Sequence, residues 1–160
     1  MERLIQLLRE NARMSAADIA SRLGTSEAEV TQQIAKLEAD GVVLGYQAIV
    51  DDEKVSSPRE VTALIEVRIT PESGGGFDRI ARRIAQYDQV RSCYLMSGGY
   101  DLAVMVEGKD LYDVARFVAE KLSTLGVVLS TATHFQLRVY KHDGILVNAG
   151  SPEDRLPISP

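Results

Sequence analysis

Residues 19–37, IASRLGTSEAEVTQQIAKL, constrain this chain most, because two short amphipathic segments there flank a glycine. Leu4, Ile5, Leu7 and Leu8 supply an apolar stripe before this stretch. Ile19 and Leu23 are four apart within it, and Val30, Ile34 and Leu37 follow at spacings of four and three. Such spacings put the apolar side chains on one side of an α-helix. Ser15 with Asp18, and Ser26 with Glu29, place a hydroxyl at each expected N-cap and a carboxylate three residues on, within reach of free backbone donors. Gly24 falls just past Leu23, where a sharp turn needs a left-handed conformation that costs little without a Cβ. The expected product is a helix-turn-helix, an arrangement used to read DNA. The same stripes and caps would serve any small three-helix bundle, since the spacing rules concern packing and not DNA.

The 160 residues could form one domain or two small ones, and length does not decide between them. An apolar fraction of 45% and a charged fraction of 26% are ordinary for a globular protein with a core. No apolar run approaches bilayer length, and the first residues, MERLIQLLRENAR, mix acid and base without a cleavage signal, so a cytoplasmic protein with no membrane partner is expected. Cys93 is the only cysteine, which rules out an internal disulfide and a multi-cysteine zinc site. Its neighbours Val90, Tyr94 and Leu95 point to a small buried hydrophobe. No cofactor or metal is expected.

The net charge of −5 sits awkwardly with nucleic-acid binding. Residues 1–41 themselves hold five basic and seven acidic side chains. Non-specific affinity comes mostly from neutralised phosphates, so such a head should bind weakly and salt-sensitively alone, and several copies on one DNA would compensate.

Beyond Leu37 the pattern changes. Residues 42–50, VVLGYQAIV, are β-branched and aromatic and are expected to form a linking strand, while residues 51–58, DDEKVSSP, are polar and proline-ended and are the expected hinge. Ala63, Ile65, Val67 and Ile69 alternate as in a half-buried strand. After a flexible break at Gly74, Gly75 and Gly76, the residues Phe77, Ile80, Ala81, Ile84 and Ala85 mark an amphipathic helix. Residues 90–96 and 100–106 read as a hairpin around Ser97, Gly98 and Gly99. A helix starting at Asp110 and a long last strand, from about Val127 to Tyr140, complete the order strand, helix, strand, strand, helix, strand.

That order predicts a ferredoxin-like βαββαβ domain with both helices on one face of a four-stranded antiparallel sheet. The expected fold class is α+β: a winged-type helix-turn-helix over residues 1–45, a linking strand and hinge over 46–58, the ferredoxin-like domain over 59–147 and an extended or disordered tail over 148–160. Leu64, Cys93, Leu95, Leu102 and Leu137, set beside Ala63, Ile65, Val67, Val104 and Val106, lead to the expectation that both sheet faces are largely apolar. A sheet of that kind should bury its open face against a second copy, giving a homodimer that could assemble further to a tetramer or octamer.

This combination resembles the Lrp/AsnC family, the feast/famine transcriptional regulators. The resemblance runs from Leu4 to about Val147. It is carried by Lys36-Leu37-Glu38 leading to Gly41-Val42-Val43 and Gly45-Tyr46, and above all by Tyr94-Leu95-Met96-Ser97-Gly98-Gly99-Tyr100-Asp101. It implies that a small amino-acid effector binds between dimers, lined by Ser97, Gly98, Gly99, Tyr100 and Asp101 with Thr131 and Thr133 as neighbours. Residue chemistry fits a zwitterion, since backbone donors at Gly98 and Gly99 could approach a carboxylate while Asp101 meets an ammonium group. A glycine hairpin in which Asp101 merely bonds turn backbone is the alternative.

The resemblance also implies that the third helix enters the major groove of double-stranded DNA, with Thr31, Gln32, Gln33 and Lys36 outward. Gln32 and Gln33 suit adenine edges, and Thr31 and Lys36 suit phosphate. Many relatives carry arginines where this helix has Glu27, Glu29 and two glutamines, so guanine reading by arginine is not available here. Two rival functions remain: an effector-binding module that no longer uses its head on DNA, and an enzyme resembling tetrapyrrole decarboxylases of similar architecture. The enzyme would want more than His134 and His142, the only histidines, and a Cys93–His134 pair has no third orienting residue.

Overall fold

The computed structural model describes residues 1–56, 60–70 and 76–147. The expected tail, the end of the expected hinge, and Gly74 and Gly75 of the expected break lie outside them. The chain divides into two compact units, Met1–Ile49 and the residues from Val50 onward.

The first unit holds α1 (Glu2–Glu10), α2 (Ala16–Leu23) and α3 (Glu27–Ala39). Both expected caps form: Ser15 Oγ accepts the Asp18 N–H at 3.1 Å, and Ser26 Oγ accepts the Glu29 N–H at 3.2 Å. Each satisfies a backbone donor that the helix itself leaves free. The reciprocal half differs from expectation in both helices: the Asp18 carboxylate takes the Ser15 hydroxyl at 2.6 Å, and the Glu29 carboxylate takes the Thr25 hydroxyl, instead of reaching back to a backbone donor. Gly24 ends α2 at φ +70°, the left-handed value the turn requires. Leu4, Leu8, Ile19, Ala20, Val30 and Leu37 close over one another as the core, each large side chain contributing about 1.5–3 kcal/mol by leaving water.

Residues 42–50 correct the sequence reading. They pair with no strand among the described residues, and Leu44 is 92% exposed. β-branched composition favours extended backbone, but a strand needs a ladder partner, and the chain offers none here.

The second unit contains β1 (Val61–Ile69), α4 (Asp78–Ala85), β2 (Val90–Leu95), β3 (Leu102–Gly108), α5 (Leu111–Phe117) and β4 (Val128–Phe135). A wider turn, Val118–Leu122, extends α5. The sheet order is β2-β3-β1-β4 with every pair antiparallel, so the βαββαβ expectation holds. Ala63, Ile65, Val67, Leu102, Val104 and Val106 pack on Ile80 and Ile84 of α4 and on Val114 and Phe117 of α5. Tyr87 meets Phe117 edge-on at 5.6 Å between ring centres.

Two further expectations change. The last strand stops at Phe135, and β5 (Lys141–His142) turns back into β6 (Ile145–Leu146) through Asp143 and Gly144, at φ 43° and 85°. Positive φ at both central residues is what a tight two-residue hairpin requires. The second face of the sheet is also less apolar than expected. Leu102 belongs to the covered face, Cys93 packs against the same core, and Leu137 lies beyond β4. Register puts Thr62, Leu64, Glu66 and Arg68 of β1 on the open face with Ala103, Met105 and Glu107 of β3 and with Ser130, Ala132 and His134 of β4. Glu66 and His134 are 3.3 Å apart there, so the face mixes a carboxylate–imidazole contact with Leu64 and Met105.

Candidate functional site

The turn between β2 and β3 is closed by one hydrogen bond and tied to the end of β1 by three. The Met96 N–H donates to the Asp101 carbonyl at 2.8 Å, closing the hairpin. The Asp101 N–H donates to the Val67 carbonyl at 3.0 Å, and Asp101 Oδ2 accepts the Ile69 N–H at 2.8 Å. Arg68 Nε donates to the Gly99 carbonyl at 2.7 Å. Gly98 has φ +122°, which only a residue without a Cβ adopts easily. Ser97, Gly98 and Gly99 are exposed, while Tyr100 and Asp101 are half-buried.

Asp101 therefore differs from the alternative in which it bonds the backbone of its own turn. One of its oxygens bonds backbone, but on the neighbouring strand and not within its own turn. Thr131 pairs with Val67, one strand across from the turn, and Thr133 pairs with Ile65, two residues further away. Both lie on the helix-covered side, because directly paired residues share a face. Ser130, opposite Arg68, is the β4 hydroxyl on the open side. Arg68 escaped the sequence reading, since its meeting with Gly99 depends on strand register between residues 31 apart.

On α3, Val30 and Leu37 are buried and Ile34 is packed against the same core, so the opposite face is open. Thr31, Gln32 and Lys36 are exposed, Gln33 is half-buried, and the Thr31 hydroxyl donates to the Glu27 carbonyl at 2.9 Å. Ala28 and Ala35 are exposed at helical spacing from Gln32. That face can offer an amide to an adenine edge and methyl groups to thymine. The Ala28–Gln32–Ala35 spacing was visible in the sequence, yet only the polar positions drew notice. Near α3, Tyr46 donates to Glu38 at 2.9 Å, and that bond to a carboxylate raises the phenol above its usual range, with slight burial adding to it.

The enzymatic pairing is not assembled. Cys93 is on β2 and His134 on β4, at opposite edges of the sheet and on opposite faces, about 14 Å apart across three strand spacings. Burial also pushes the Cys93 thiol up, away from a reactive thiolate. Among the described residues no cluster of His, Cys, Asp or Glu could hold a metal ion, and no helix is long and apolar enough to cross a membrane.

A capped helix-turn-helix followed by a sheet domain with a pinned glycine turn defines a DNA-binding transcriptional regulator with a ligand-binding domain. Residues 2–43 match the winged helix-turn-helix DNA-binding family, and residues 62–146 match the Lrp/AsnC ligand binding domain. The chain is 46% identical over 157 residues to the uncharacterized HTH-type transcriptional regulator YugG of Bacillus subtilis, covering 98% of this chain and 95% of that one. It belongs to the Lrp/AsnC family, and the names of its relatives point to regulators and not to an enzyme.

Two solved structures share the fold. A transcriptional regulator of Neisseria meningitidis in complex with L-Met superposes with a TM-score of 0.67 at 24% identity, covering 87% of this chain and 88% of that one. The leucine response regulatory protein of Mycobacterium tuberculosis gives 0.69 at 24% identity, covering 88% and 92%.

Proposed function

We propose that this regulator reads double-stranded DNA with Thr31, Gln32, Gln33 and Lys36 of α3 and responds to a small amino-acid-like effector. The effector site is the turn of Ser97, Gly98, Gly99, Tyr100 and Asp101. The pinning of that turn to β1 carries the reading: a glycine turn held by three bonds from a neighbouring strand is preorganised, and preorganisation lowers the cost of binding. The L-Met complex of the Neisseria regulator supports an amino acid as the ligand class.

The protein acts in the cytoplasm as a homodimer, assembling further to a tetramer or octamer. Leu64 and Met105 on the open sheet face, and the exposed Leu44 and Tyr46, are apolar surface that a second copy would cover. Several heads on one DNA offset the weak attraction of each acidic head. Effector binding favours one subunit arrangement and so changes the spacing of recognition helices against the ~34 Å repeat of half-sites.

The test is binding of purified protein to its own upstream DNA across a salt series, with and without mixed amino acids. Salt-dependent, sequence-selective binding supports the regulator. Amino-acid binding with no DNA affinity at any salt would favour the effector module that has lost its DNA role.

A further inference from the structure

We propose that Arg68 is the group that recognises the carboxylate of the bound effector, an assignment that rests on the effector reading above. The pairing of β1 with β4 shifts register between Arg68 and Ile69. Irregularities of this kind re-aim a side chain beside a site. Ile69 there gives its N–H to Asp101 Oδ2 at 2.8 Å, and Arg68 gives Nε to the Gly99 carbonyl at 2.7 Å. The guanidinium head thus lies against the glycine turn with its position set by Nε alone.

The rest of that head is uncommitted. Among the described residues its two Nη groups make no hydrogen bond or ion pair, which leaves a planar edge of donors matched to a carboxylate. Asp101 is bonded to the Ile69 backbone, and Glu66, two residues along the same face, is paired with His134. Ser130 faces Arg68 from β4 and adds a hydroxyl on the open side. Arg68 therefore supplies at this turn the donor edge that a carboxylate needs.

Selectivity follows from this chemistry. An amino acid is held through its carboxylate, and the same molecule with that group converted to a primary amide loses the charge-assisted bond, at a cost of at least about tenfold in affinity. Isothermal titration on the full chain tests the assignment, using each of the twenty L-amino acids and then the primary amide of the one that binds. Wild-type protein should prefer the acid to the amide by tenfold or more. R68M should lose that preference by weakening the acid far more than the amide, and R68K should recover part of it. Equal binding of acid and amide by the wild type overturns the assignment without any substitution. So does an R68M protein that weakens both alike, because Arg68 would then only brace the turn. If the wild type binds none of the twenty, the amino-acid reading itself fails and the assignment fails with it.

Discussion

Asp101 accepts the backbone N–H of Ile69 through Oδ2 at 2.8 Å, so the carboxylate that follows the glycine turn holds the end of a strand 32 residues earlier. Ile69 is only 3% exposed, and without this acceptor its N–H would have poor access to water. D101A should destabilise the C-terminal unit by about 1–2 kcal/mol, while D101N, which keeps an acceptor oxygen, should retain most of the wild-type stability. Chemical denaturation followed by circular dichroism measures both.

Gly24 sits at φ +70° with open space where a Cβ would be, so backbone strain and not a clash opposes substitution. G24A should cost about 1 kcal/mol in the N-terminal unit. S26A, which removes the acceptor for the Glu29 N–H, should cost about as much again. Differential scanning calorimetry of the full chain checks these two against each other.

Gln32 is exposed on α3 while Gln33 is half-buried, so the two glutamines are not equivalently placed to meet DNA. Q32A should relax discrimination between cognate and altered DNA by about 1–3 kcal/mol, and Q33A should do less. K36A should weaken all sequences about equally and lower the salt dependence. Fluorescence anisotropy on paired DNA duplexes separates these patterns.

Asp113 accepts from Arg116 at 2.8 Å and from the Lys109 N–H at 3.2 Å, and these bonds hold its carboxyl below the ordinary carboxylate range. Its folded-state ionisation thus lies at lower pH than in the unfolded chain. The resulting stability is present above the unfolded value and is lost as pH falls toward the folded one. D113N should flatten the acid limb of the stability profile, a small effect because its partner Arg116 is solvent-exposed. Urea melts across the acid range test it.

Much of the fold was legible because it rests on local chemistry. Ser15, Gly24 and Ser26 mark helix ends through their own backbone needs, and the alternation Ala63, Ile65, Val67, Ile69 identifies the buried face of β1. What escaped depends on partners. Residues 42–50 have strand composition without a neighbour to pair with. The Asp143-Gly144 dipeptide is a strong hairpin signal beyond the expected last strand, and the structure forms that hairpin. Leu102 was assigned to the open face because strand alternation alone does not say which side the helices cover. The candidate turn was visible as Ser97 to Asp101, whereas Arg68 enters it only through tertiary register.

Sedimentation velocity of the full chain, with and without a saturating mixture of amino acids, reaches the central claim most directly. A species of dimer size or larger whose distribution shifts on adding amino acids, in parallel with a change in DNA affinity, is the predicted result. A lone protomer at micromolar concentration, or an assembly and DNA affinity that amino acids leave unchanged, would contradict it.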